Sequence, residues 1–194
     1  MARRARTWFP GAKYHITSRG IRKQPLFYDD PDRRQYLGML LETMERYDFN
    51  IHAYCLMSNH IHLQLETSKT PPGPIIKYFH SKYARYFNLK YDFSGHVFEK
   101  RYFHDIIDSP EHELDLSRYI HRNPLTAGIV ESLETYPWSS YRAYMLNEHN
   151  PLVTKDQILS YFPEPKQEHY FQFLMQKENY GSKEMEMLYG LDCL

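Results

Sequence analysis

Two runs rich in β-branched and aromatic residues, "FNIHAYCLM" and "HIHLQLE", are separated only by Ser58 and Asn59. So short a link makes them antiparallel neighbours in a hairpin. Lys13 to Arg19, "KYHITSR", alternates with the same period of two and stops at Gly20, which places a third strand ahead of the hairpin. Between them "DDPDRRQYLGMLLETMERYD" opens with capping acids and a proline, then sets Tyr36, Leu37, Leu40, Leu41 and Met44 on one helical stripe. After the break "TPPGP", a second helix presents Ile76, Phe79, Tyr83, Tyr86 and Phe87, and "GHVFEKRYFHDIID" reads as one or two strands starting at Gly95. The sharpest boundaries belong to "SPEHELDLSRYIHRNP". Ser109 is its N-cap, Pro110 its first helical residue, acids fill its first turn, and Asn123-Pro124 is its expected stop.

The order β, α, β, β, α, β, α predicts an α+β fold: a ferredoxin-like, split βαβ antiparallel sheet with helices on one face and the other left for a ligand. "YPWSSYRAYM" and "KDQILSYF" predict short helices and "KQEHYFQFLMQKENYG" a longer one, so residues 151–194 are expected as a helical C-terminal extension of a domain spanning 1–150. A chain of 194 residues suits that division. No apolar run is long enough to cross a bilayer, and Cys55 and Cys193 lack the spacing of a zinc set or a secreted disulfide framework. The expected setting is the cytoplasm.

On a strand, residues two apart share a face, so His60, His62, Gln64 and Glu66 line one side and Ile61, Leu63 and Leu65 pack on the helices. Two imidazoles on one face can chelate a divalent metal, but the same spacing also occurs in exposed or hydrogen-bonded histidines. Tyr119 and Asn123 lie four apart near the end of the best-delimited helix, so a phenol and an amide project together. The alternative is a tyrosine packed in the core and an asparagine that only closes the helix. The net charge of zero hides an uneven distribution: Arg3, Arg4, Arg6, Lys13, Arg19, Arg22 and Lys23 all precede the first acid, Asp29. A local basic surface is expected there, with Trp8, Phe9 and Tyr14 interleaved.

"AYCLMSNHIHLQLE", followed by "GHVFEKRYF", "LSRYIHRNPLTAGIV" and "YPWSSYRAY", resembles the REP-associated tyrosine transposases, a branch of the single-tyrosine HUH transposases. The resemblance runs from "FPGAKYHITSRG" to about Tyr144. It implies that His60 and His62 bind a divalent metal, Mg2+ or Mn2+, and that Tyr119 is the nucleophile. Asn123 falls where related transposases carry a third polar ligand, often glutamine. The implied reaction cleaves and rejoins single-stranded DNA at repetitive palindromic hairpins, through a 5′-phosphotyrosine and a free 3′-hydroxyl, without ATP. Single-stranded or hairpin DNA is then the partner, in a bacterial cytoplasm and at the nucleoid when bound. The expected DNA contacts are Arg3, Arg4, Arg6, Lys13, Arg19, Arg22, Lys23, Lys100 and Arg101. Monomer and homodimer are both open. Two other readings stand beside this one: a domesticated hairpin-binding protein without turnover, and a small-molecule metalloenzyme using His60, His62 and Glu66.

Overall fold

The computed structural model describes residues 7–176. The hairpin forms as its short link requires: β2 (Phe49–Leu56) and β3 (His60–Thr67) pair antiparallel, with Cys55 opposite His62 and Leu56 opposite Ile61. β1 (Lys13–Arg19) flanks β3, and β4 (Phe103–Ile107) lies beyond β1, giving an antiparallel sheet of order β2-β3-β1-β4. The histidine-bearing strand is therefore central. The register shifts between Ile51 and Ala53, where His52 is the extra residue of a bulge. That bulge keeps Ile51, Tyr54 and Leu56 on the face of Leu65, Leu63 and Ile61 and turns Ala53 and Cys55 to the other face. Of the one or two strands expected after Gly95, one forms as β4, and the stretch before it makes a single bridge from Phe98 to Gly20.

α1 (Asp30–Arg46) starts at a reciprocal cap between Asp29 and Asp32. Its Tyr36, Met39 and Leu40 join Ile75, Phe79 and Tyr83 of α2 (Pro72–Tyr91) over Ile16, Ile61, Leu63 and Leu65. Both helices cover one face, as the sequence predicts. Tyr14 belongs to this core, and the Trp8 indole donates to Thr67 at the far end of β3 from His60. The Tyr14 ring is thus buried, and Trp8 is half-buried.

α3 (Pro110–Thr126) departs from the expectation of helices on one face only. Its Leu116, Tyr119 and Ile120 pack on Ala53, Cys55 and Met57, because those three make the second face apolar at the β2 side. The face expected to be open thus becomes a space roofed by α3. The roof is pinned by Lys13, whose ammonium lies 2.7 Å from Glu113, a carboxylate buried at 3% exposure. Burying that carboxylate unpaired would cost several kcal/mol, on the order of 3–5, so Lys13 serves the fold.

α3 also continues through Pro124 to Thr126 instead of stopping there. A proline in the last turn forfeits the bond its own N–H would make and crowds the carbonyl four residues before it, but it leaves the turns beyond it able to close. The carbonyls of Asn123 and Pro124 still accept from Ala127 and Ile129, and Gly128, at φ 65°, turns the chain away. Three later helices form, α4 (Tyr141–Met145), α5 (Asp156–Leu159) and α6 (Lys166–Met175), and the rest of the expected C-terminal extension, residues 177–194, lies outside the described residues. Tyr170 and Leu174 of α6 pack with Tyr144 and Ile158, and Arg122 of α3 donates to the Leu174 carbonyl. Residues 156–175 therefore brace the back of α3. No described helix is long and apolar enough to cross a membrane.

Candidate active site

Antiparallel pairing sets His60 opposite Arg19, His62 opposite Thr17, and Gln64 opposite His15. Residues opposite one another share a face, so His15, Thr17 and Arg19 join the two histidines under α3. Tyr119 comes down from the roof with its ring centroid 5.3 Å from His62 and 6.3 Å from His15, edge-on to both. His60 and His62 lie 5.0 Å apart, centroid to centroid. Asn123, one turn after Tyr119, faces His60 and favours its protonated form. His15 and His62 are fully buried, and His60, Tyr119 and Asn123 nearly so. The phenol, the amide and the histidine pair thus meet.

The hydrogen bonds fix the available ring nitrogen of His60. Nδ1 of His60 lies 2.7 Å from Oδ1 of Asn59, which can only accept, so Nδ1 carries the hydrogen and Nε2 the lone pair. Asn59 is itself held, its amide nitrogen donating to the Lys23 carbonyl. Nδ1 of His62 lies 3.0 Å from Nε2 of His15 and 3.3 Å from the Thr17 hydroxyl, with the His15 and His62 rings stacked at 16°. Nε2 of His60 and Nε2 of His62 are buried with no hydrogen-bond partner among the described residues.

Charge is scarce in this pocket. Burial, reinforced by the Arg19 charge and opposed by Asn123, pulls His60 down to about 4. Burial and the neighbouring His60 and His15 hold His62 well below the usual histidine range, and burial with His112 brings His15 to about 3. At neutral pH the imidazoles are uncharged, the form that ligates a metal.

Two buried imidazole nitrogens without partners are what a divalent ion would use, and the Nδ1 atoms of both rings are held by neighbouring side chains, as in ligating histidines. His60 and His62, with the Asn123 amide beside them, fit such an ion. No group of three or more His, Cys, Asp or Glu side chains among the described residues could hold a metal. The third protein ligand would therefore be the amide, with water or substrate oxygens completing the shell. Glu66 does not join: it stands four residues beyond His62, about 13 Å along the strand, and its carboxylate bonds His52. The set His60, His62 and Glu66 expected for a small-molecule metalloenzyme is not assembled.

The other sequence-predicted residues divide. Arg19 lies at the site, and Arg22 and Lys23 are exposed in the turn that Asn59 holds. That turn needs Gly20, since a Cβ there would meet the Gln24 carbonyl oxygen at 2.1 Å. Lys100 and Arg101 follow the segment bonded to Arg19 and Gly20, so five basic residues ring the His60 end of the sheet. Lys13 is engaged by Glu113 at the opposite end, and Arg3, Arg4 and Arg6 lie outside the described residues. His121 turns away from Tyr119 to Tyr170 and Ser140, as its place on the helix predicts. Sequence reasoning missed His15, Thr17 and Asn59. The signal for the first two was present, because a strand alternating Lys13, His15, Thr17 and Arg19 presents all four to one face.

A sequence profile of the family described as "Transposase IS200 like" matches residues 9–123. A Haemophilus influenzae protein inferred to be a REP-associated tyrosine transposase is 28% identical over 112 residues, which cover 52% of this chain and 63% of that protein, less than two thirds of its length. The fold is similar to that of a solved REP-associated tyrosine transposase bound to a REP hairpin, at a TM-score of 0.65 and 16% identity, covering 79% of this chain and 91% of that one.

Proposed function

The chain belongs to the IS200-like transposase family, and from that premise we propose that it cleaves and rejoins single-stranded DNA beside a palindromic hairpin, with Tyr119 as the nucleophile. The observation that carries this reading is the meeting of Tyr119 with His60 and His62, three side chains from two distant segments, in a pocket where Nε2 of each histidine is buried with no hydrogen-bond partner among the described residues.

In this mechanism Arg19, Arg22, Lys23, Lys100 and Arg101 draw the DNA backbone to the His60 end of the sheet. The phenol oxygen of Tyr119 attacks the phosphorus. A bond forms between that oxygen and the phosphorus, the bond to the 3′ oxygen breaks, and the upstream strand leaves with a 3′-hydroxyl. The phenol gives up its proton as it attacks, and the departing 3′ oxygen takes one up to become the hydroxyl. The downstream strand stays on Tyr119 through its 5′ phosphate, and attack by a 3′-hydroxyl on that linkage restores the phenol and joins the strands without ATP. His60, His62 and Asn123 would hold Mg2+ or Mn2+. Such an ion, when bound, neutralises charge on the phosphoryl oxygens. Asn59 holds the His60 imidazole, and His15 and Thr17 hold that of His62.

An intact duplex hides its strands from a site roofed by α3, so substrate form is a direct test. A hairpin from sequence flanking the gene, carrying a single-stranded flank, is expected to be cut in the flank. The same sequence as perfect duplex is expected to resist. Equal cutting of both in a gel assay would defeat the proposal, and binding without any cutting would favour the domesticated hairpin-binding protein.

A further inference from the structure

A cavity of about 610 Å³ lies between α2 and residues 95–102, on the opposite side of the sheet edge from Tyr119. That volume is in the range of small-ligand sites and takes one nucleotide. Its wall is an aromatic stack: the rings of His80 and Phe98 lie 4.0 Å apart and within 14° of parallel. Nε2 of His80 is buried there with no hydrogen-bond partner among the described residues. Burial brings His80 to about 3, so its ring is neutral and offers hydrogen bonding without charge. Lys77, Ser81, Lys100 and Arg101 line the same cavity and are exposed.

The cavity is tied to the candidate active site through the backbone. Phe98 bridges Gly20, the Glu99 N–H donates to the Arg19 carbonyl, and Arg19 pairs with His60. The wall is therefore two strand spacings from His60, about 10 Å. Phe98 packs toward α2 while His60 faces α3, so a DNA strand serving both places rounds the sheet edge at residues 98–101.

We propose that this cavity takes one unpaired nucleobase of the single-stranded flank, stacked against Phe98 and His80, with adjoining phosphates on Lys100 and Arg101. Flat rings beside a cationic rim match a base attached to a polyanionic backbone. The inference rests on the DNA-cleaving reading and adds a recognition position to it.

The test is an abasic scan. Hairpins from sequence flanking the gene carry a single missing base at each flank position in turn, and binding to the full chain is followed by fluorescence anisotropy. The wild type is expected to lose about 5- to 100-fold in affinity at one flank position. Phe98→Leu should bind the complete hairpin more weakly and be indifferent to the missing base there, while keeping its response elsewhere. His80→Asn is the second variant, used if the melting temperature of Phe98→Leu reveals misfolding. The same position-specific loss in wild type and variant would overturn the cavity while leaving the DNA reading intact. Failure of the wild type to bind any hairpin would overturn both.

Discussion

Tyr119→Phe is expected to lower strand cleavage by about four orders of magnitude or more, while hairpin binding and folding persist. The substitution removes one oxygen and keeps a ring lodged against His62 and the apolar patch of Ala53, Cys55 and Met57. Loss of one hydroxyl from such a position costs on the order of 1 kcal/mol, which a melting curve measures separately from turnover. A variant that binds its hairpin, melts near the wild-type temperature and forms no covalent adduct on a denaturing gel meets the expectation. Normal turnover would remove Tyr119 from the chemistry, and the meeting of α3 with the histidine pair would then be packing alone.

The second large effect concerns the histidines. His60→Ala combined with His62→Ala is expected to abolish Mn2+ binding and reduce cleavage by about 10³-fold, because both unpartnered imidazole nitrogens disappear together. Excess chelator should silence the wild type in the same way, and added Mn2+ should restore the wild type but not the double variant. His15→Phe keeps the stack on His62 but removes the nitrogen 3.0 Å from its Nδ1, and is expected to weaken Mn2+ affinity by about 10- to 100-fold. Electron paramagnetic resonance of bound Mn2+ reads this without reference to activity. Full cleavage by the wild type in chelator would refute the metal assignment.

The contrast between what was legible in the sequence and what was not is physical. A two-residue link and period-two alternation are local, so the hairpin, the strand before it and the face shared by His60 and His62 follow from adjacent residues. The caps at Asp29 and Ser109 are local in the same sense, and α1 and α3 begin where they say. Which side of the sheet α3 covers depends on Ala53, Cys55 and Met57, and their facing depends on the bulge at His52, which no nearby residue announces. His15 escaped for a related reason. Its role arises only when β1 lies beside β3 in the observed register, a pairing between residues 47 positions apart. Lys13 counted as a DNA contact by its charge, but Glu113, one hundred residues later, takes that charge. Pro124 marked a stop that the last turn of α3 can tolerate.

The central claim is that Tyr119 carries the downstream DNA strand through its 5′ phosphate, and one measurement reaches it directly. Hairpin oligonucleotides labelled at the 5′ or the 3′ end are incubated with the protein and resolved under denaturing conditions, and the attached peptide is located by mass spectrometry. The account predicts that the downstream, 3′-labelled fragment migrates with the protein, linked at Tyr119, and that the upstream fragment is released with a free 3′-hydroxyl. An adduct on the upstream fragment, or a linkage at any residue other than Tyr119, would contradict it.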